Sequence, residues 1–312
     1  MKIAFFGTPA FASESLKSLF NAGFEITVVI TAPDKPSGRG QKVQFSDVKK
    51  TAIDLGLKIL QPEKLKSPDF VEQFNSLNID LGVVIAFRML PEIIWNAPKF
   101  GTVNLHGSLL PHYRGAAPIN HAIINGETKT GVSTFFLKHE IDTGDIIERA
   151  EIEIKPDENA SELHDNLMNL GSYTIVSTVK LIEKHGKNTP VIPQIATDHP
   201  KIAPKIFREF CELNHELSST NFHNKVRGLS YYPGAWIHSP WGDLKILRTR
   251  LISEEKDIQI IDSQKKSNVD SFYLISKRFF IKTKDGHIEI IELQPSGKPK
   301  MKVIDWINGL RL

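Results

Sequence analysis

Lys2–Phe6 (KIAFF) is an unbroken apolar run and reads as a short buried strand. Between Ala10 and Ala22, Phe11, Leu16, Leu19 and Phe20 fall on one side of a helical projection. Gly23 stands where that helix would stop. Glu25–Thr31 (EITVVIT) is β-branched and reads as the next strand. Strand, helix and strand within about thirty residues make a βαβ unit. Asp80–Ala86 (DLGVVIA) is continuously apolar, as expected of a strand covered on both faces. Thr102–His106, Gly131–Leu137 and Ile146–Ile154 read as further strands, and Pro118–Asn125 and Ser161–Lys184 as helices. The pattern predicts an α/β class, with a Rossmann-like domain over residues 1–185 whose sheet is mostly parallel.

The texture then changes. Residues 185–204 (HGKNTPVIPQIATDHPKIAP) hold four prolines and little periodicity, so 186–204 reads as a linker. Beyond it comes one amphipathic helix, Ser218–Leu229, and then short strands at Ala235–His238, Leu244–Ile252, Ser271–Ile275, Phe279–Thr283 and Ile288–Leu293. Turns such as Ser239-Pro240-Trp241-Gly242 and Asp285-Gly286 separate them. This spacing predicts a small OB-like β-barrel over 205–312.

A length of 312 residues suits two such domains. Cys211 is the single cysteine, so no intramolecular disulfide can form, which fits a reducing, cytoplasmic setting. No apolar run approaches the length that crosses a membrane. The opening MKIAFF is too short an apolar run for a signal peptide, and Gly7-Thr8-Pro9 breaks it. Net charge is +3, unevenly spread. Residues 201–312 carry 19 Lys/Arg against 13 Asp/Glu, whereas residues 1–200 carry 20 against 23. A basic C-terminal third suits a polyanion such as nucleic acid.

Side chains two apart on a strand share a face, so Asn104 and His106 emerge together opposite Val103 and Leu105. They lie at the carboxyl end of their strand, where open α/β sheets place ligands. An amide and an imidazole side by side suit the stabilisation of negative charge growing on a carbonyl oxygen. Each such donor can lower a barrier by about 3 kcal/mol. A carboxylate beside the imidazole would favour its charged form. Asp142 in HEIDTGD is the first candidate, with Glu140 and Asp145 as rivals. Other chemistries lack their patterns. The turn Phe6-Gly7-Thr8-Pro9 has one glycine instead of a dinucleotide fingerprint. No G-x-S-x-G elbow activates Ser108. His106, His112, His121 and His139 show no metal-ligand spacing, so no metal is expected.

NLHGSLLPHYRGAAPIN (104–120) followed by IDTGDII (141–147) resembles the signature of the 10-formyltetrahydrofolate-dependent formyltransferases. The resemblance implies that Asn104, His106 and Asp142 form the catalytic trio. It implies that Ser108, Leu109, Leu110 and Pro111 form a folate-binding loop, and that Phe87, Arg88, Met89 and Leu90 line the pterin pocket. The co-substrate would be 10-formyltetrahydrofolate, with no metal. Two positions depart from the family pattern: Phe87-Arg88 replaces a usual Tyr-Gly, and His112 a usual Arg.

Three further stretches resemble the branch of the family whose acceptor is the α-amine of initiator methionyl-tRNA. They are FFGTPAFA (5–12), TAPDKPSGRGQKVQFSDVK (31–49), and the pair RGLSYYPGAW (227–236) and LQPSGKPKM (293–301). That likeness implies tRNA contacts from Lys35, Arg39 and Lys42, with no membrane and no obligate protein partner. The bare residues agree: cations outnumber carboxylates over 33–50, and Gly38 and Gly40 flank Arg39. A sister formyltransferase acting on a nucleotide or amino-sugar amine would carry the same trio. The basic 33–50 segment and the basic C-terminal third favour tRNA.

Overall fold

The structure is a computed structural model that describes residues 1–37, 42–195, 200–252 and 271–310. The chain forms two compact units. The first comprises residues 1–115, 130–152 and 164–202, the second residues 116–129, 153–163 and 203–312.

The first unit holds a seven-stranded sheet. Its strands are β1 (Lys2–Gly7), β2 (Glu25–Ile30), β5 (Ile59–Leu60), β6 (Leu81–Ile85), β7 (Thr102–His106), β9 (Lys129–Phe136) and β10 (Ile146–Glu153). The spatial order is β10-β9-β7-β6-β1-β2-β5. Strands β1, β2, β5, β6 and β7 pair in parallel, and β9 joins β7 antiparallel. Five of the six β1 residues and all of β6 are buried, which is why both read as unbroken apolar runs. One face carries Ala4, Phe6, Val28, Ile30 and Val84. It packs against Phe70 and Phe74 of α3 (Pro68–Ser76) and Ile94 of α4 (Glu92–Trp95). The Phe6 and Phe74 ring centroids lie 5.7 Å apart. Helix α1 (Ala10–Asn21) buries Phe11, Leu16 and Leu19, as the pattern predicts, leaves Phe20 exposed, and lies beside α2 (Asp47–Asp54).

Helices α2, α3 and α4 are not marked by the helical pattern. They run eight, nine and four residues, and each buries only one to three side chains. A second difference lies in the basic segment. Within it, β3 (Lys35–Ser37) and β4 (Lys42–Gln44), which the apolar pattern does not mark, pair as an antiparallel ribbon. Polar contacts close its base. The Thr31 and Ser46 hydroxyls lie 2.7 Å apart, and the Gln61 amide donates to the Ala32 carbonyl at 2.7 Å and to the Asp34 carboxylate at 2.8 Å. Lys49 is ion-paired with Asp34. The Lys49 ammonium and then the Gln61 amide hold the Asp34 carboxyl below the usual carboxylate range. Arg39 lies outside the described residues.

Helix α6 (Ala160–His185) follows the predicted span to within a residue at each end. The Thr178 hydroxyl lies 2.8 Å from that of Thr134 on β9, and it donates at 2.6 Å to Glu148 on β10. Gly171 lets the helix approach β7: a Cβ there would sit 2.8 Å from Leu105 Cδ2.

In the second unit, β12 (Ala235–Ser239), β13 (Gly242–Leu251), β14 (Phe272–Ile275), β15 (Arg278–Lys282) and β16 (His287–Pro295) form an antiparallel sheet. Their order is β12-β13-β16-β15-β14, with β17 (Met301–Lys302) paired to β16. The sheet is a curled half-barrel of the OB-like kind. Register shifts around Arg248 bend β13 against β16, as bulges do. The core joins Phe222, Val226 and Leu229 of α7 (Ser219–Leu229) to Leu244, Ile246, Phe279, Ile281 and Ile290. Burying each such side chain contributes roughly 1.5–3 kcal/mol. Trp306 of a last helix (Val303–Asn308, α8) stands edge-on to Trp241 at 5.3 Å. Helix α5 (Pro118–Ile124) packs beside α7.

Among the described residues, Glu289 is one of three buried charged residues of this unit, with Glu158 and Arg227. Its carboxylate accepts from Arg278 Nε at 2.7 Å and Nη2 at 3.0 Å, and from Arg250 Nε at 2.7 Å. Burial pushes its carboxyl up, but the two guanidiniums outweigh that and leave it below its ordinary value. The ionised form is therefore favoured in the folded state. The stability it contributes is present above the unfolded carboxyl value of about 4.3 and is lost as pH falls through the lowered folded value. Glu289→Gln is expected to reduce stability at neutral pH and to make the acid limb shallower below about pH 4.3. Urea unfolding across pH 3–7 checks this, and an acid limb unchanged by the substitution would refute it.

Candidate active site

The site grows from the end of β7. In register, Asn104 lies across from Val84 on one side and Phe135 on the other, and His106 lies across from Ser133. Leu105, on the opposite face, meets α6 at Gly171. Asn104 and His106 therefore share the face that α6 does not occupy. Asn104 is half-buried, and its amide has no hydrogen-bond partner among the described residues. His106 is buried.

The chain after β7 turns back on the imidazole. His106 Nε2 lies 2.8 Å from the Tyr113 carbonyl oxygen. A carbonyl only accepts, so Nε2 carries the proton and donates it there. This leaves Nδ1 facing Asp142, whose Oδ2 is 3.8 Å away. That is beyond hydrogen-bond reach in this state. Catalytic hydrogen bonds are often long before substrate closes the site. Asp142 is thus the carboxylate that stands by the imidazole. Asp145 is engaged with Lys138 at 2.9 Å, and Glu140 is exposed.

Asp142 is firmly held. Its Oδ2 accepts the Gly115 N–H at 2.9 Å. Its backbone φ of 55° lies in the left-handed region, which aspartate tolerates better than most residues. Two residues on, Gly144 has no room for a side chain: a Cβ would lie 1.6 Å from the Phe136 carbonyl oxygen. Gln194 donates to the carbonyls of Asp142 at 2.9 Å and Gly144 at 2.7 Å, and accepts from Arg114. The sequence pattern does not mark Gln194, because it falls in the proline-rich stretch read as a linker.

The Ser108–Pro111 loop is fastened from inside. The Ser108 hydroxyl is buried and donates to the His112 carbonyl at 2.7 Å. The Ser133 hydroxyl donates to the Ser108 carbonyl at 2.7 Å and accepts the Leu110 N–H at 3.1 Å. Leu110 packs with Phe135 and Ile146. Leu109 and Pro111 are half-buried. In the other loop, Phe87 packs on Phe6 at 5.9 Å, Leu90 is buried and Met89 is exposed. The Arg88 guanidinium donates to the Glu63 carbonyl at 2.7 Å and to the Pro62 carbonyl.

Beside the Asp142 turn lies a cleft of about 620 Å³, whose lining includes Trp95, Arg114, Leu137, His139, Thr143 and Gln194. Its lining mixes Trp95 and Leu137 with polar and charged groups, Lys138 and Glu140 among them. Lys35 is exposed, and Lys42 sits on β4 opposite Ser37. Among the described residues, no group of three or more His, Cys, Asp or Glu is placed to hold a metal, and no helix is long and apolar enough to cross a membrane.

Comparison with known proteins places the chain in a family. Residues 1–179 match the family model described as Formyl transferase, and residues 205–311 match that described as Formyl transferase, C-terminal domain. The methionyl-tRNA formyltransferase of Bacteroides fragilis is 41% identical over 321 residues, spanning 100% of this chain and 96% of the relative. That of Flavobacterium johnsoniae is 45% identical over 317 residues, spanning 99% and 96%. Among solved structures, an N-formyltransferase from Helicobacter canadensis in complex with folinic acid and dTDP-3-aminofucose superposes with a TM-score of 0.67. It is 19% identical, with 93% of this chain and 98% of that chain covered, a likeness of fold.

The Gly144 contact sets a stability expectation. Gly144→Ala forces the Phe136 carbonyl or the Asp142 turn to move, and overpacking of this kind costs about 1–3 kcal/mol. Urea unfolding should show a lower midpoint with an unchanged slope. A wild-type midpoint would mean that the turn yields freely.

Proposed function

The chain belongs to the formyl transferase family, and we propose that it moves a formyl group from 10-formyltetrahydrofolate to the α-amine of initiator methionyl-tRNA. The product, N-formylmethionyl-tRNA, would serve translation initiation in the cytoplasm. One observation carries the chemistry: the Asp142 carboxylate stands 3.8 Å from His106 Nδ1 at the carboxyl end of β7, on the face that Asn104 shares. The acceptor follows from similarity to methionyl-tRNA formyltransferases over the whole length of the chain.

The cleft suits a folate. Trp95 and Leu137 offer flat apolar contact to a heterocycle. Phe87–Leu90 and Ser108–Pro111 are not part of that lining and would hold the part of the folate outside the cleft. Because the Ser108 hydroxyl and the Arg88 guanidinium are already engaged, their loops would contribute through backbone, Leu109, Pro111 and Met89. The folate supplies the formyl carbon; as its bond to N10 breaks, tetrahydrofolate leaves and N10 takes up a proton, which balances the one the amine loses.

The residues divide the remaining work. Asn104 would donate its free N–H to the carbonyl oxygen as negative charge grows there. His106 would act through Nδ1, since Nε2 is committed to Tyr113. Asp142 would receive the proton that the attacking amine must lose, directly or through water, and would steady positive charge on the ring.

The tRNA would be held chiefly by its phosphates. Lys35, Arg39, Lys42 and the basic 205–312 region are the assigned contacts, with 1–185 carrying the chemistry and 186–204 joining them. Binding should weaken as salt rises.

Incubation with 10-formyltetrahydrofolate and methionylated initiator tRNA tests the reading, with an Asn104→Ala/His106→Ala double variant as control. Formylmethionyl-tRNA from wild type alone is the expected result. Formyl transfer to an amino sugar or nucleotide amine instead would move the chain to a sister branch. Asp142→Asn should lower kcat about hundredfold or more and change KM little. A kcat near wild type would assign the proton to another group.

A further inference from the structure

We infer that Gln194 is a positioning residue for the transfer, a single amide that sets Asp142 against His106 from outside the signature motifs. The inference rests on the formyl transfer proposed above. Gln194 is half-buried and spends its whole hydrogen-bonding capacity. Nε2 donates to the Asp142 and Gly144 carbonyls, and Oε1 accepts from Arg114 Nε at 3.2 Å and Nη2 at 2.6 Å. Its own placement is fixed two residues earlier. Ile192 exchanges both backbone hydrogen bonds with Ile146, the first residue of β10, at 2.7 and 2.8 Å.

The arrangement answers a need of the site. Asp142 occupies a left-handed conformation, which costs free energy and persists only where the surroundings over-determine it. Its carboxylate receives one backbone donor, the Gly115 N–H. The residue before that donor is Arg114, gripped by the same Gln194. Both segments that meet at the carboxylate, 113–115 and 142–144, are therefore tied to one side chain. His106 Nδ1 stands 3.8 Å from Oδ2, so a small rotation of the turn decides whether proton and charge can be shared. A shift of about 1 Å at such a point can cost about hundredfold in rate.

Two substitutions separate positioning from simple fastening. Gln194→Met keeps the length and removes every hydrogen bond. Gln194→Glu keeps an acceptor for Arg114 and removes both donors to the turn. For each, kcat and KM for both substrates are measured with 10-formyltetrahydrofolate and methionyl-tRNA, alongside hydrogen exchange of the Gly115 amide. The expected result is a kcat lowered about tenfold to hundredfold in both variants, with KM values changed by less than about threefold. Gly115 exchange should quicken, because its acceptor loosens. A Gln194→Met enzyme with kcat within about twofold of wild type overturns the inference, as does a loss carried by KM alone. So does Gly115 exchange at the wild-type rate. Should wild type formylate no methionyl-tRNA, the functional reading falls, and Gly115 exchange by itself then decides whether Gln194 holds the carboxylate.

Discussion

The contact between Leu105 and Gly171 sets the register of the site. Strand β7 sends alternate side chains to opposite faces. With Leu105 pressed against α6 at the one position where the helix lacks a Cβ, Asn104 and His106 have no choice of face. A slip of one residue would bury the polar pair under the helix and turn Val103 and Leu105 to the ligand side. The helix is held to the neighbouring strands by the Thr134–Thr178–Glu148 hydroxyl and carboxylate network, so the same packing that closes the sheet aims the chemistry.

From that fixed pair the site is completed by backbone groups. The Tyr113 carbonyl holds one ring nitrogen of His106 and so leaves the other for reaction. The Gly115 N–H holds Asp142. Carbonyls and amides of a loop are cheap to aim once the loop is packed, and here Ser108, Leu110 and Ser133 pack it. Rigid supports of this kind suit a reaction whose acceleration comes from donors already in place when charge develops.

The second unit follows a different logic. Its sheet encloses an aromatic and aliphatic core around Phe222, Phe279 and Trp306. Glu289 is a buried carboxylate, and Arg250 and Arg278 satisfy it on its own sheet. The surplus of positive charge in residues 201–312 is thus left over after such internal pairing, in keeping with a polyanionic partner.

Much of this was legible in the chain itself. Period-two and unbroken apolar runs marked β1, β2, β6 and β7, and the alternation in TVNLH alone places Asn104 and His106 together. The signature around them pointed to the family. Short helices with one to three buried side chains, such as α3 and α4, left too weak a period to be read. Three things were decided only in three dimensions. Asp142 stands by the imidazole while Asp145 is drawn off by Lys138. Arg88 turns to the carbonyls of Pro62 and Glu63. Gln194 reaches across about fifty residues of sequence to the Asp142 turn. Local spacing dictates which side chains share a face. Which distant side chain arrives opposite that face depends on how the elements pack, and no local period in the sequence carries that information.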